Sequence, residues 1–211
     1  MLTLMRSRPT MHLTVGLPGV GKTTLARRLE RDIGALRLTP DEWMIPLFGE
    51  SQPLGKRDTL EGRLIWVGHQ VLRAGCPVIL DFGCWSRQER YALRAVAELA
   101  GADFELHYLT LGEAERRSRH QVRWRETPEE TFELTDEDHE GHLAAFSPPT
   151  QEEMSSRHLP APPPPFDGWA AWASNRWPSL PRVDRAPHAS APARRRCMPE
   201  AGGAAPPEAA P

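Results

Sequence analysis

The sequence predicts a three-layer α/β fold, a parallel sheet with helices on both faces. Two observations carry this reading. Short apolar runs alternate with amphipathic stretches of helical length, as strands joined by crossover helices require. A glycine-rich loop, Gly16-Leu17-Pro18-Gly19-Val20-Gly21-Lys22-Thr23, joins the first apolar run to the first amphipathic stretch.

Met11–Val15 reads as a buried strand and Thr23–Ile33 as a helix with Leu25, Leu29 and Ile33 on one face. Ala35–Thr39 is a second short strand. Arg57–Arg73 is a helix carrying Leu60, Leu64, Val67, Val71 and Leu72, ended by Gly75 and Pro77. Pro77–Leu80 enters a third strand, where proline is tolerated at the first position. Ser86–Ala100 is a helix with Ser86 as cap, Glu89 three residues on and Gly101 as stop. Phe104–Leu109 is a fourth strand, and Glu113–Arg125 is a strongly basic helix. Thr135–Phe146 is a last helix, opened by Thr135-Asp136-Glu137-Asp138.

Composition bounds the rest. The chain has 211 residues, 26 Lys+Arg against 28 Asp+Glu, and a net charge of -2. That balance gives no support for a general nucleic-acid binder, and none is expected as a partner. No apolar run approaches the roughly 18 residues that span a bilayer, so no membrane role is expected. The first ten residues lack the apolar stretch of a signal peptide. Cys76, Cys84 and Cys197 are widely spaced and read as reduced thiols, so a cytoplasmic protein is expected. Residues 1–147 hold 7 of the 22 prolines and residues 148–211 the other 15. The reading is an extension over 1–10, a domain over 11–155, and a Pro/Ala-rich, mostly disordered tail over 156–211. Trp169, Trp172 and Trp177 argue mildly against complete disorder there, since they can dock back onto the domain.

The loop at 16–23 is G-x-x-x-x-G-K-[ST] without a mismatch, in the strand-loop-helix context that a phosphate-binding P-loop needs. Gly16, Gly19 and Gly21 let the backbone turn its N–H groups onto phosphate oxygens. The helix that follows adds a partial positive charge of about half a unit at the same place. Lys22 reaches the β and γ phosphates, and Thr23 offers its hydroxyl to Mg2+. Leu17, Pro18, Val20 and Thr24 complete the nucleotide cradle. A guanine-reading N-K-x-D is absent, because Lys22 and Lys56 are the only lysines. The apolar strand Val78-Ile79-Leu80-Asp81 ends in one acid rather than the pair of a motor ATPase. A small phosphotransferase using ATP fits best. The alternative is an ATP-binding or ATP-hydrolysing switch acting on a protein partner, through the proline-rich tail.

Gly16–Thr24, Thr39-Pro40-Asp41-Glu42-Trp43-Met44, Val78–Arg87 and the Arg-rich segment 116–125 resemble the bacterial predicted-kinase family of P-loop proteins. That family is similar to chloramphenicol phosphotransferase, zeta toxins and the 5'-kinase part of polynucleotide kinase. The resemblance covers about residues 11–155. It implies the P-loop NTPase fold, a sheet of four or five strands ordered 2-3-1-4, and a helical lid over ATP.

The resemblance implies roles residue by residue. Asp41 takes the place of the acceptor-activating aspartate, a carboxylate able to take the proton of a small molecule's hydroxyl. It also reads as an N-cap for a helix beginning at Glu42, a role compatible with the first. Asp81 takes the magnesium position through water, and reads otherwise as a turn-forming residue before Gly83. Trp85 and Arg87 follow as acceptor-pocket candidates, an apolar wall and an anion reader, although Arg87 also fits a solvated helix face. Arg119 and Arg123 match the lid arginines of an R-N-x-x-R pattern, with His120 in place of the asparagine, and lie on one helical face. Against that stands the acidic stretch 126–140, which would make the basic helix a salt-bridged surface. His139 and His142 read as a solvated helix face, and Cys84 has no base to activate it.

Overall fold

A computed structural model describes residues 8–49, 54–128, 131, 133–155 and 158–183. Among them four parallel strands form one sheet: β1 (Thr10–Val15), β2 (Leu36–Leu38), β3 (Val78–Gly83) and β4 (Asp103–Tyr108). Their spatial order is β2-β3-β1-β4, as the resemblance implies. Met11 lies opposite Val78 and Phe104, and Leu13 opposite Leu80 and Leu106. In this central position β1 is buried on both faces, with Met11, Leu13 and Val15 wholly buried on one and the polar His12 and Thr14 buried on the other.

One face of the sheet is covered by α3 (Lys56–Arg73) and α4 (Arg87–Leu99). Their core includes Leu60, Leu64, Ile65, Leu72, Leu93 and Val96. The other face carries α1 (Lys22–Ile33), where Ala26 and Leu29 pack with Ile79 and Ala35. Ala26 has no bulk to hold the helix away, so α1 closes on β3. Ile33, expected on that face, is exposed.

Directly after β2 comes α2 (Pro40–Phe48), with Thr39 as N-cap and Pro40 in the first turn. Asp41 therefore lies inside the helix, and its reading as the N-cap does not hold. Ser86 and Glu89 form a reciprocal capping box at the start of α4. After α5 (Glu113–Glu126), Thr135 and Asp138 form another at α6 (Asp136–Ala145).

Beyond α6 the chain adds α7 (Gln151–Ser155) and α8 (Trp169–Arg176). The expectation of a mostly disordered tail from residue 156 fails for residues 158–183. Trp169, Trp177, Leu180 and Val183 are buried in the main core, and α8 packs on α4. The aromatic residues run in a chain from Tyr91 through Trp169 and Trp172 to Trp177, with ring centroids 5.5, 5.7 and 6.2 Å apart. A buried tryptophan removes roughly 150–250 Å² from water, about 4–6 kcal/mol at ~25 cal/mol/Å². The two buried tryptophans, with Leu180 and Val183, supply apolar burial that offsets part of the ordering cost of the segment. Gly62 permits the approach, because a Cβ there would stand 2.8 Å from the Leu180 nitrogen.

Arg90 ties this segment to the loop after β3. It is 1% exposed, and its Nε and Nη2 donate to the two Glu153 oxygens at 2.5 and 3.0 Å. Its Nη1 donates to the carbonyls of Cys84, Trp85 and Ser147. A buried pair of this kind is tolerable because its donors are satisfied. The sheet also begins before Met11, since the Asp103 N–H donates to the Pro9 carbonyl at 2.9 Å. Cys84 is a buried free thiol. Residues 1–7 and 184–211, with Cys197 and the rest of the tail, lie outside the described residues. No described helix is long and apolar enough to cross a membrane.

Candidate active site

A cleft of about 700 Å³ opens where β1 and β3 end. Ligands of parallel α/β sheets gather at that edge. Its floor is the phosphate loop: Pro18, Gly19, Gly21, Lys22, Thr23 and Thr24 line it. Gly16, Gly19 and Gly21 all have positive φ, at 148°, 89° and 96°. Gly16, Leu17 and Val20 do not face the cleft, and the two side chains pack beneath the loop, each 8% exposed.

The loop is held from behind by α5. A Cβ on Gly19 would stand 2.4 Å from the Arg116 carbonyl oxygen, so only glycine fits this approach. Arg116, 1% exposed, donates Nη1 to the Pro18 carbonyl at 3.1 Å and Nη2 to Glu113 at 2.9 Å. The same Nη1 stands 3.2 Å from His139 Nδ1. Burial and the Arg116 charge hold His139 below the usual histidine range, so its ring can accept that bond. His139 is thus a buried support rather than part of a solvated face.

Lys22 donates to the Leu17 carbonyl at 3.0 Å. Burial lowers its pKa, opposed by the negative charges of Asp81 and Asp41. Both carboxylates therefore act on the ammonium that the motif places under the phosphates. Asp81 is buried between strands: Thr14 donates its hydroxyl to Oδ1 at 2.7 Å, and the Thr39 hydroxyl lies 3.5 Å from Oδ2. Arg37 in turn donates to Thr39 at 2.6 Å.

On the far side Asp41 meets Arg57, whose Nη2 lies 2.5 Å from Oδ1. Arg57 Nε also pairs with Glu61 at 3.3 Å. Glu61 is 8% exposed and accepts from Trp177 Nε1 at 3.0 Å. Burial pushes its pKa up to about 7, and the Arg57 charge offsets only part of that. Asp58 and Glu89 line the same end, bridged by Arg176 at 2.7 and 2.8 Å. Sequence reasoning named none of Arg57, Asp58, Glu61, Glu89, Arg176 or Trp177 as site residues. The one local signal was Arg57 and Glu61, four apart on a helix.

Arg119 and Arg123 both line the cleft from α5, with Arg119 also paired to Glu115 at 2.6 Å. The Arg123 charge reaches Lys22 and helps lower its pKa. The salt-bridged alternative holds for Arg117, which meets Asp136 at 2.7 Å. His120 is buried, edge-on to His139. Trp85 lines the cleft with His142 tilted against it, ring centroids 4.6 Å apart. His142 is therefore a cleft residue, against the expectation of a solvated helix face. Arg87 is not: it turns to Glu153 at 3.7 Å and does not line the cleft, which corrects its assignment to the acceptor pocket. Burial raises the Cys84 pKa well above the usual thiol value, in keeping with an inert side chain.

Thr23 and Asp81 both line the cleft and offer oxygen ligands of the kind a magnesium ion on phosphates takes. Elsewhere His12, Glu105 and His107 bring three ligand atoms within 4.8 Å of one another. His12 Nδ1 and His107 Nε2 are 3.1 Å apart, a distance that a direct hydrogen bond already explains.

A family profile described as an AAA domain matches residues 11–149. Among curated proteins none matches the sequence. Among solved structures, a chain of the Pnkp1/Rnl/Hen1 RNA repair complex is 20% identical with a TM-score of 0.59, over 68% of this chain and 45% of that one. This chain thus spans under half the length of that relative. Kti12 of Chaetomium thermophilum, in complex with ADP-AlF3, is 21% identical with a TM-score of 0.52, over 66% of this chain and 81% of that one. A candidate kinase from Chloroflexus aurantiacus is 16% identical with a TM-score of 0.53, over 64% and 75%. At these identities the likeness is one of fold, that of P-loop kinases. The matched family range ends before α7 and α8 begin.

Proposed function

This chain belongs to the AAA domain family, and on that premise we propose that it is an ATP-dependent phosphotransferase moving the γ-phosphate of Mg-ATP to a hydroxyl of a small molecule. The observation that carries the reading is the meeting of Lys22 with Asp41 and Asp81 in one cleft, where both acids act on the ammonium.

The loop amides and the α1 N-terminus bind the phosphates, with Lys22 following the γ-phosphate. Thr23 and Asp81 hold magnesium, which when bound neutralises charge on the phosphate oxygens. Arg57 fixes the orientation of the Asp41 carboxylate. Asp41 takes the proton of the acceptor hydroxyl as its oxygen bonds to the γ-phosphorus and ADP leaves. Arg119 and Arg123 neutralise charge on the transferring group and exclude water. Two pieces of support come from fold: the relative bound to ADP-AlF3 shares it, and so does the candidate kinase.

The test is transfer of label from γ-labelled ATP with magnesium, alone and with a fractionated metabolite extract, beside Asp41→Asn. Label should enter an organic product in the wild-type reaction and fall by about 10²–10⁴-fold in the variant, the range of general-base loss. ATP binding without transfer, or slow phosphate release indifferent to Asp41→Asn, would sink the reading.

A further inference from the structure

The cleft is lined by charges of both signs. Lys22, Arg119 and Arg123 line it together with Asp81, Glu133 and Asp138, and its far end carries four carboxylates, Asp41, Asp58, Glu61 and Glu89, against two guanidiniums, Arg57 and Arg176. Each guanidinium is engaged by two of those acids: Arg57 by Asp41 and Glu61, Arg176 by Asp58 and Glu89. A phosphate or carboxylate on the acceptor would have to displace an existing ion pair and face the remaining acids. Even with Glu61 protonated, three carboxylates stand against two guanidiniums. Electrostatic complementarity of this kind rejects like charge strongly.

The same end suits hydroxyls and amines. Carboxylate oxygens keep lone pairs for O–H and N–H donors after one ion pair each. Trp85 and Trp177 add aromatic walls.

Two of these groups come from the segment beyond the family range. Arg176 reaches across to Asp58 on α3 and Glu89 on α4, and the Trp177 indole holds Glu61. We infer that the phosphate acceptor is a polyhydroxy compound without negative charge, neutral or amine-bearing, and that residues 158–183 build its subsite through Arg176 and Trp177. The inference rests on the phosphotransferase reading.

The experiment uses the full chain with magnesium and γ-labelled ATP, and a metabolite extract split by anion-exchange resin near neutral pH. The unretained fraction should accept label at least about ten-fold better than the retained one. Transfer mainly to the retained, anionic fraction overturns the inference and leaves the kinase reading standing. No transfer to either fraction, with ATP still bound, overturns the kinase reading and the inference with it. With the unretained fraction as acceptor, Arg176→Gln should move the half-saturating acceptor concentration by about five-fold or more at unchanged KM for ATP. An unchanged value removes the C-terminal segment from the subsite. Trp177→Phe, which keeps an aromatic ring and loses the N–H to Glu61, gives the second readout with the same expectation.

Discussion

The two ends of the cleft are built in opposite ways. The phosphate end comes from one run of nine residues, Gly16 to Thr24, six of which line the cleft, on a loop whose geometry follows from three glycines. The acceptor end collects Asp41 from α2, Asp58 and Glu61 from α3, Glu89 from α4, Arg176 from the end of α8 and Trp177 just after it. The first end is local chemistry, and the second exists only once the sheet, α3, α4 and the C-terminal segment have packed. Damage should separate accordingly, with lost packing felt at the acceptor end and lost point contacts at the phosphate end.

Trp177→Ala is the strongest way to break the acceptor end alone. Removing a fully buried indole that joins the main core should cost about 3–5 kcal/mol in denaturant unfolding. Nucleotide affinity measured below the midpoint should survive. Loss of both together would mean that the two ends are one cooperative unit.

Lys22→Met attacks the other end. Phosphate transfer should drop by about 10²–10³-fold, the loss expected for one charged transition-state contact. Thermal stability should stay the same or rise, since a buried charge is removed and burial already lowers the Lys22 pKa.

Glu61→Gln sharpens the comparison through pH. Glu61 moves from an ordinary 4.5 to about 7 on folding. The folded chain binds that proton more tightly than the unfolded one, so this group's stabilisation is full below pH 4.5. It is lost as pH rises through 4.5 to 7. The span corresponds to about 3 kcal/mol. Glutamine should flatten this part of the stability profile, measured by unfolding across that window. A wild-type profile already flat there would show Glu61 ionised throughout.

Arg87→Ala is the smallest change. Its ion pair with Glu153 is half-exposed at the arginine and the distance is long, so stability should move by less than about 0.5 kcal/mol. The acceptor's half-saturating concentration should not respond. A five-fold rise would restore Arg87 to the pocket from which its direction excludes it.

Much of the fold was legible before any coordinates. The four strands and the helices α1, α3, α4, α5 and α6 follow from apolar period and capping residues, each of them a matter of neighbours in the chain. The C-terminal segment was misjudged for a physical reason. Its prolines argue against regular structure; its tryptophans signal docking onto the domain, but the groove over α3 and α4 that buries Trp169 and Trp177 is built by other segments. His142 was misjudged likewise, because a histidine on a polar helix gives no sign of the Trp85 ring it will meet. Arg87 shows the converse error. Position after the third strand suggested the pocket, but its place in the first turn of α4 directs it toward Glu153 on α7.

By itself the sequence determined the phosphate-loop motif and the position of the carboxylate that follows β2, whereas the strand order was what the family resemblance implied. The motif and that carboxylate depend on backbone conformations and spacings within a few residues, which local composition controls. Only the tertiary structure decided which charges face one another across the far end of the cleft. Ion pairs such as Arg176 with Asp58 and Glu89 join residues 118 and 87 positions apart in the chain. Their meeting is set by how helices pack on the sheet, a property of the whole buried core rather than of any segment.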